Sequence, residues 1–395
     1  MTIKSLILQA LLLLGLVPAV RADNFGAEGD LAKQVWFWTQ VFDRYPANTF
    51  IIHDATRPFI IIDIVDFGVL GRKIRGAAKF NRIQRESVAN NYLKRYELAV
   101  DRVRTEGKRA ARHGAMEKRI LYVYQRNPYD FQHLMKERPE LRLQVGMATE
   151  FDNAAERSAS MIPYMESIFS KQQMPVELTR LAFVESMFNV DAVSKVGASG
   201  LWQIMPSTGR EFLIINHYID ERNSPYKATR AAASLLKQNF KTLKTWPLAV
   251  TAYNHGAGGI ARAVKRLGTR DLNKIIKYYR SNSFGFASRN FYSEFLAARN
   301  VYNKKYRMKN PSKSVPQLTE IAVSKISLDQ VIRNTPLSER IIRDYNRCLK
   351  PEAFDRFRHT PLPKDYKLVV PHYMVGQLNL SFKDDTKSRR AAWTR

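Results

Sequence analysis

Residues 183–206 read FVESMFNVDAVSKVGASGLWQIMP, an apolar run that closes on an acid, Glu185, and passes straight into a glycine-punctuated loop. Leu178, Leu181, Ala182 and Glu185 fall at i, i+3, i+4 and i+7, so the glutamate lies on the apolar stripe of its own helix. A carboxyl withdrawn from water favours its neutral form, which raises its pKa and suits it to donate a proton near neutrality. Acids of that kind protonate the leaving oxygen when a glycosidic bond is cut. Periodicity alone gives equal standing to a buried glutamate tied up by a structural hydrogen bond. The loop favours the first reading. Gly197 and Gly200 allow conformations and close approaches suited to a cleft wall, and Trp202 offers either a flat face for a pyranose or a core side chain.

Outward from this stretch, helical signals follow one another from about Leu141 to Tyr306. Pro175, Pro225 and Pro247 each open a helix, where the missing N–H would be unpaired anyway. Glycines at 256, 258, 259 and 268 divide short helices, and an all-helical domain is expected over residues 144–306. Residues 23–143 are expected to form an α+β region: TFIIHD and FIIIDIVDF flank a turn at Arg57-Pro58, and a basic helical segment follows. From Arg72 to Arg119 fifteen Lys/Arg stand against five Asp/Glu, either as a solvated helix face or as a surface for anionic polymer. PSKSVP marks a linker within 307–316. Residues 317–373 read as a small β-α-α-β module, its first helix opened by a capping box from Ser327 to Gln330. The tail, 374–395, reads as disordered by composition. The expected fold class is mainly α.

Lys+Arg exceed Asp+Glu by 64 to 36, a net charge of +28, which implies a polyanionic partner: nucleic acid, anionic lipid or acidic wall polymer. The first residues choose among them. MTIKSLILQALLLLGLVPAVRA has a basic start, an apolar run and small residues, Val20 and Ala22, placed for cleavage, so residues 1–22 read as a secretory signal. An uncleaved anchor is the alternative, although the run is shorter than the ~20 residues of a spanning helix. Export to the periplasm or cell envelope demotes nucleic acid and leaves the basic N-terminal region for anionic wall or membrane surfaces. FIIIDIVDFGVL is interrupted by Asp63 and Asp66, so no further spanning segment is expected. Cys348 is the only cysteine, which excludes an intrachain disulfide and reads as a packing residue. The seven histidines lack metal-ligand spacing, SPYK at 224–227 lacks the other serine-enzyme motifs, and GAGG follows a helix rather than a strand. No metal or cofactor is expected.

The pattern E-S-x7-S-x-x-G-A-S-G-L-W-Q-I-M-P-x-T, with AYNHGAGG about fifty residues later, resembles the lytic transglycosylases of the soluble murein transglycosylase type, relatives of goose-type lysozyme. IDERNSPYKATRAAASLL points within them to the membrane-bound lytic murein transglycosylase D subgroup. The likeness is strong over 144–306, where it implies a lysozyme-like domain acting on peptidoglycan glycan strands. The C-terminal module looks like the subgroup's post-catalytic segment and, more loosely, a LysM-like unit. The resemblance implies Glu185 as single acid/base, Ser194, Gln203 and Met205 lining the sugar cleft, and Tyr253 with Asn254 near the N-acetyl group.

Most glycosidases need a second carboxylate. Asp191 is the nearest in sequence and reads as a loop residue bonding local backbone N–H groups. With one carboxyl the substrate must supply the rest: the MurNAc N-acetyl oxygen stabilises the cationic centre and its C6 hydroxyl attacks C1, giving 1,6-anhydroMurNAc. A lysozyme-type hydrolase and a non-catalytic basic wall-binding protein are the alternatives, and a monomer is expected.

Overall fold

The structure, a computed structural model, describes residues 25–73, 76, 79–307, 318–323 and 325–378. The expected signal sequence, the expected linker at PSKSVP and the tail beyond 378 lie outside the described residues.

Two strands rich in isoleucine, β1 (Thr49–Asp54) and β2 (Ile61–Asp66), pair antiparallel on either side of the expected turn. Asp54 holds that turn, its Oδ1 accepting the backbone N–H groups of Thr56 at 2.8 Å and Arg57 at 3.1 Å. Ahead of them runs α1 (Gly29–Asp43); after them come α2 (Phe67–Lys73), α3 (Arg82–Glu106), α4 (Ala115–Gln125) and α5 (Pro128–Lys136). Leu141–Val145, expected to lead into the helical domain, is instead a third strand, β3, pairing antiparallel with β1. LRLQV alternates with period 2, and the open edge of β1 offers it a ladder. The sheet order is β2-β1-β3.

The central strand divides two cores. Phe50 and Ile52 point into one with Val100 and Val103 of α3 and Ile120 and Tyr124 of α4. Ile51, on the opposite face, enters the core of the helical domain. That domain comprises α6 (Ala148–Ser158), α7 (Ile162–Lys171), α8 (Leu181–Ser186), α9 (Pro206–Gly209), α10 (Pro225–Leu243), α11 (Trp246–His255), α12 (Ala257–Leu267), α13 (Leu272–Tyr278) and α14 (Phe286–Lys305). Helix α10 starts as its sequence implies, with Pro225 in its first turn and Ser224 capping Lys227 N–H. Helix α1 belongs to this core by packing, although it precedes the sheet in sequence. Its Leu31, Phe37, Trp38 and Val41 are buried there, and Trp38 Nε1 donates to Asn290 Oδ1 of α14 at 3.0 Å. Each such apolar side chain contributes roughly 1.5–3 kcal/mol on burial.

The C-terminal module contains β4 (Leu318–Ala322), α15 (Leu328–Asn334), α16 (Glu339–Tyr345), α17 (Pro351–Phe354) and β5 (Lys367–Pro371), with β4 and β5 antiparallel. The Ser327–Gln330 capping box is formed. Residues 374–378, placed by composition in a disordered tail, continue the fold, because Met374 and Leu378 bury themselves in the module's core. Cys348 is buried there too, and burial raises its thiol pKa. The module docks on the helical domain: Ile219 enters its core, Asp220 N–H donates to Cys348 C=O at 2.7 Å, and Lys350 N–H donates to Tyr218 C=O at 3.0 Å. Among the described residues no helix is long and apolar enough to cross a membrane.

Candidate active site

A tight 3-10 turn over Val176–Arg180 leads into α8, so the apolar stripe is carried by two helical segments rather than one. Leu178, Leu181 and Ala182 have no exposed surface, and Glu185, in the last turn, is half-buried beyond them. The helix stops abruptly. Met187 (φ 48°) and Phe188 (φ 54°) both adopt the left-handed conformation, which side chains other than glycine rarely take. Gln203 (φ 44°) repeats this across the loop, so non-glycine strain collects around the glutamate, as it does at functional sites.

No hydrogen bond among the described residues occupies the Glu185 carboxyl. Burial raises its pKa to about 8, and the charge of Glu294 adds to the shift. Glu294, half-buried on α14, is raised to about 8 by burial as well. The second carboxyl of the site is therefore Glu294, not Asp191. Phe291, Glu294, Phe295 and Ala298 repeat the i, i+3, i+4, i+7 arrangement that singled out Glu185, and that signal stood in the sequence.

Tyr253 of α11 is next to Glu185, whose charge joins burial in pushing the phenol far above its ordinary value. Its hydroxyl donates to Trp202 C=O at 2.9 Å, and its ring stacks on Phe291. Asn254 is exposed, its Oδ1 accepting from Ser288 Oγ of α14 at 2.9 Å, which leaves its amide N–H groups for a ligand. Beside it, His255 has its pKa lowered by burial and by Arg262, and its ring packs where a Cβ on Gly259 would come within 2.5 Å. A side chain there would have to displace the ring.

The loop after α8 is fastened to the helix by Ser186 Oγ, which donates to Leu201 C=O at 2.8 Å. Ser194 Oγ accepts from Ala198 N–H at 2.9 Å, so its own proton stays available. Gln203 Nε2 donates to Ala192 C=O at 3.0 Å and Gly200 C=O at 2.9 Å, so any glycan contact from this side chain must use Oε1. Met205 is 39% exposed, with Val193 and Val196 also exposed on the loop. Trp202 is a core residue: it is fully buried and donates from Nε1 to Thr229 Oγ1 at 2.9 Å. Gly200 (φ 76°) has its close approach, but to protein. A Cβ there would lie 2.1 Å from Arg222 C=O.

Arg222 pins the loop from below. Its buried guanidinium donates to Gly197 C=O at 2.7 Å and Ile204 C=O at 3.1 Å while paired with Asp220 at 2.7 Å. The sequence carries it inside IDERN, with no periodicity to mark it. Asp191 corrects a second expectation. Its carboxylate does not bond local backbone N–H groups but accepts from Arg347 Nη1 of the C-terminal module at 2.7 and 2.8 Å, while Asn189 Oδ1 holds the local turn. Among the described residues no group of three or more His, Cys, Asp or Glu is placed to hold a metal ion.

Against known families, residues 151–276, the stretch of helices that carries Glu185, match the Transglycosylase SLT domain. Among individual proteins, 108 residues are 40% identical to "Membrane-bound lytic murein transglycosylase D" of Escherichia coli K12, covering 26% of this chain and 24% of that one. A stretch of 116 residues is 34% identical to "Putative tributyltin chloride resistance protein" of an Alteromonas species, covering 28% and 56%. The chain thus spans about a quarter of the first relative's length.

Proposed function

We propose that the protein is an exported peptidoglycan lytic transglycosylase that cuts the MurNAc-β-1,4-GlcNAc bond with Glu185 as acid and then base. The observation that carries this is a half-buried carboxyl beside Tyr253, its pKa raised by burial to about 8, within the stretch that matches the SLT domain. Glu185 gives its proton to the leaving GlcNAc oxygen as the C1–O bond breaks, and the MurNAc N-acetyl oxygen stabilises the cationic C1. The Glu185 carboxylate then takes the C6 hydroxyl proton as O6 bonds to C1, closing 1,6-anhydroMurNAc. In this reading Tyr253 and Asn254 orient the acetamido group, and Ser194, Gln203 and Met205 contact the glycan.

One observation favours a lysozyme-type hydrolase as the second reading, the Glu294 carboxyl beside Glu185. A hydrolase needs that group ionised to activate water or attack C1. Burial instead pushes it to about 8, and two neighbouring carboxyls resist ionising together, so it is mostly neutral at pH 7. Digestion of purified sacculi in ¹⁸O-labelled water separates the two. Transglycosylation gives products one water lighter and unlabelled, whereas ¹⁸O at the reducing end would establish hydrolysis. Glu185→Gln should lower release by ~10²–10⁴-fold with the fold intact, the usual contribution of general acid catalysis. A folded variant with near wild-type release would overturn the assignment.

A further inference from the structure

Away from these residues a cavity of about 700 Å³ opens between the start of α1, the β1–β2 turn, α5 and α13. It shares no lining residue with the Glu185 site, and its size suits a small ligand. Two polar side chains in its wall are almost wholly buried and incompletely bonded. Gln34, 4% exposed, has an Oε1 with no hydrogen-bond partner, and Arg57, 6% exposed, has an Nε with none. Arg57's other nitrogens are engaged by Asp54 and Asp130. Both unpaired atoms lie behind the wall with almost no accessible surface, so the ligand chemistry of the cavity is set by the exposed part of its lining.

The rest of the lining specifies its chemistry. Lys274 and Lys277 project from α13 and Arg280 follows them, all exposed and in no ion pair among the described residues. Lys277 Nζ sits between two exposed rings, 5.4 Å from the centre of Tyr129 and 5.3 Å from that of Tyr278. Three cations on one wall recognise several carboxylates, and tyrosine rings pack against sugar or peptide. Glu28 and Glu137 also line the cavity and would accept an amine.

We propose that this cavity is a second, non-catalytic site for the acidic stem peptide of peptidoglycan, with its carboxylates on Lys274, Lys277 and Arg280 and its free amine toward Glu28 and Glu137. The assignment rests on the glycan reading of the Glu185 site and adds a peptide-reading surface to it. Calorimetry of the full chain carrying Glu185→Gln tests it, with a purified disaccharide tetrapeptide titrated against a peptide-free GlcNAc tetramer. The tetrapeptide should fill two sites and the tetramer one. Lys277→Glu and Tyr278→Ala, both at exposed positions that folding tolerates, should each weaken the second site by about tenfold or more and leave the first unchanged. A single tetrapeptide site, or a second site indifferent to both substitutions, overturns the proposal. Sacculus cleavage by the Lys277→Glu chain with Glu185 intact reports the catalytic reading separately, so that failure of either can be told from failure of the other.

Discussion

At the scale of single residues the site is governed by what burial does to carboxyls. Glu185 and Glu294 both have folded pKa values near 8, above those of an unfolded chain. Between about pH 4.5 and 8 the folded state binds more protons than the unfolded one, so stability falls as pH rises through that window. Replacing either with glutamine removes an ionisation the fold resists. Glu294→Gln should therefore flatten the decline in melting temperature between pH 5 and 9 and raise stability at pH 9, up to a few kcal/mol. A melting curve with unchanged pH dependence would show that Glu294 is not held neutral. Glu185 was legible because an acid on an apolar stripe is conspicuous. Glu294 carried the same signature but stood outside the motif, and Arg222 carried none, since a buried guanidinium bonded to carbonyls leaves no periodic trace.

Among elements, the loop after α8 depends on backbone geometry more than on side chains. A methyl at Gly200 would meet Arg222 C=O at 2.1 Å with the chain at positive φ, so Gly200→Ala should destabilise by several kcal/mol and abolish cleavage together with the fold. A thermal melt close to wild type would refute this. The Asp191–Arg347 pair across to the C-terminal module is a contrasting case. Its side chains are 68% and 50% exposed, and a double-mutant cycle should find less than about 1 kcal/mol of coupling. Asp191→Asn should leave catalysis within a few-fold. Proline starts, the capping box and the isoleucine-rich strands were readable because each acts locally. Strand β3 was not, because a five-residue strand depends on an open edge ninety residues earlier.

For the whole molecule, the +28 charge sorts by what each cation already touches. Arg102 pairs with Glu117, Arg104 donates to Leu134 C=O, and Arg112 pairs with Glu106, so these three serve the fold of the N-terminal region. Lys108, Arg109 and Lys118 are exposed and in no ion pair among the described residues. Reversing these last three should weaken binding to sacculi, increasingly so at low salt, while turnover of short soluble glycans stays within about twofold, because exposed charges act over ~10 Å at 0.1 M salt. Sacculus binding that ignores both salt and these reversals would assign attachment to the cleft or the C-terminal module. Composition announced the charge, but which cations were spoken for depended on neighbours that only folding supplies.

The packing of α1 against α14 has a consequence for the order in which the molecule comes into being. Trp38 and Asn290, joined by a hydrogen bond, are separated by 252 positions, and the same two helices bury each other's apolar faces. Contacts between such distant stretches form late, since the loop between them must close first. As the chain is synthesised, α1 has to wait for the segment bearing Glu294. A nascent chain shorter than about three hundred residues can fold the sheet with α3 and α4, yet it lacks the complete α14 that sets Glu294 beside Glu185. The candidate site is thereby completed only once α14 has been made.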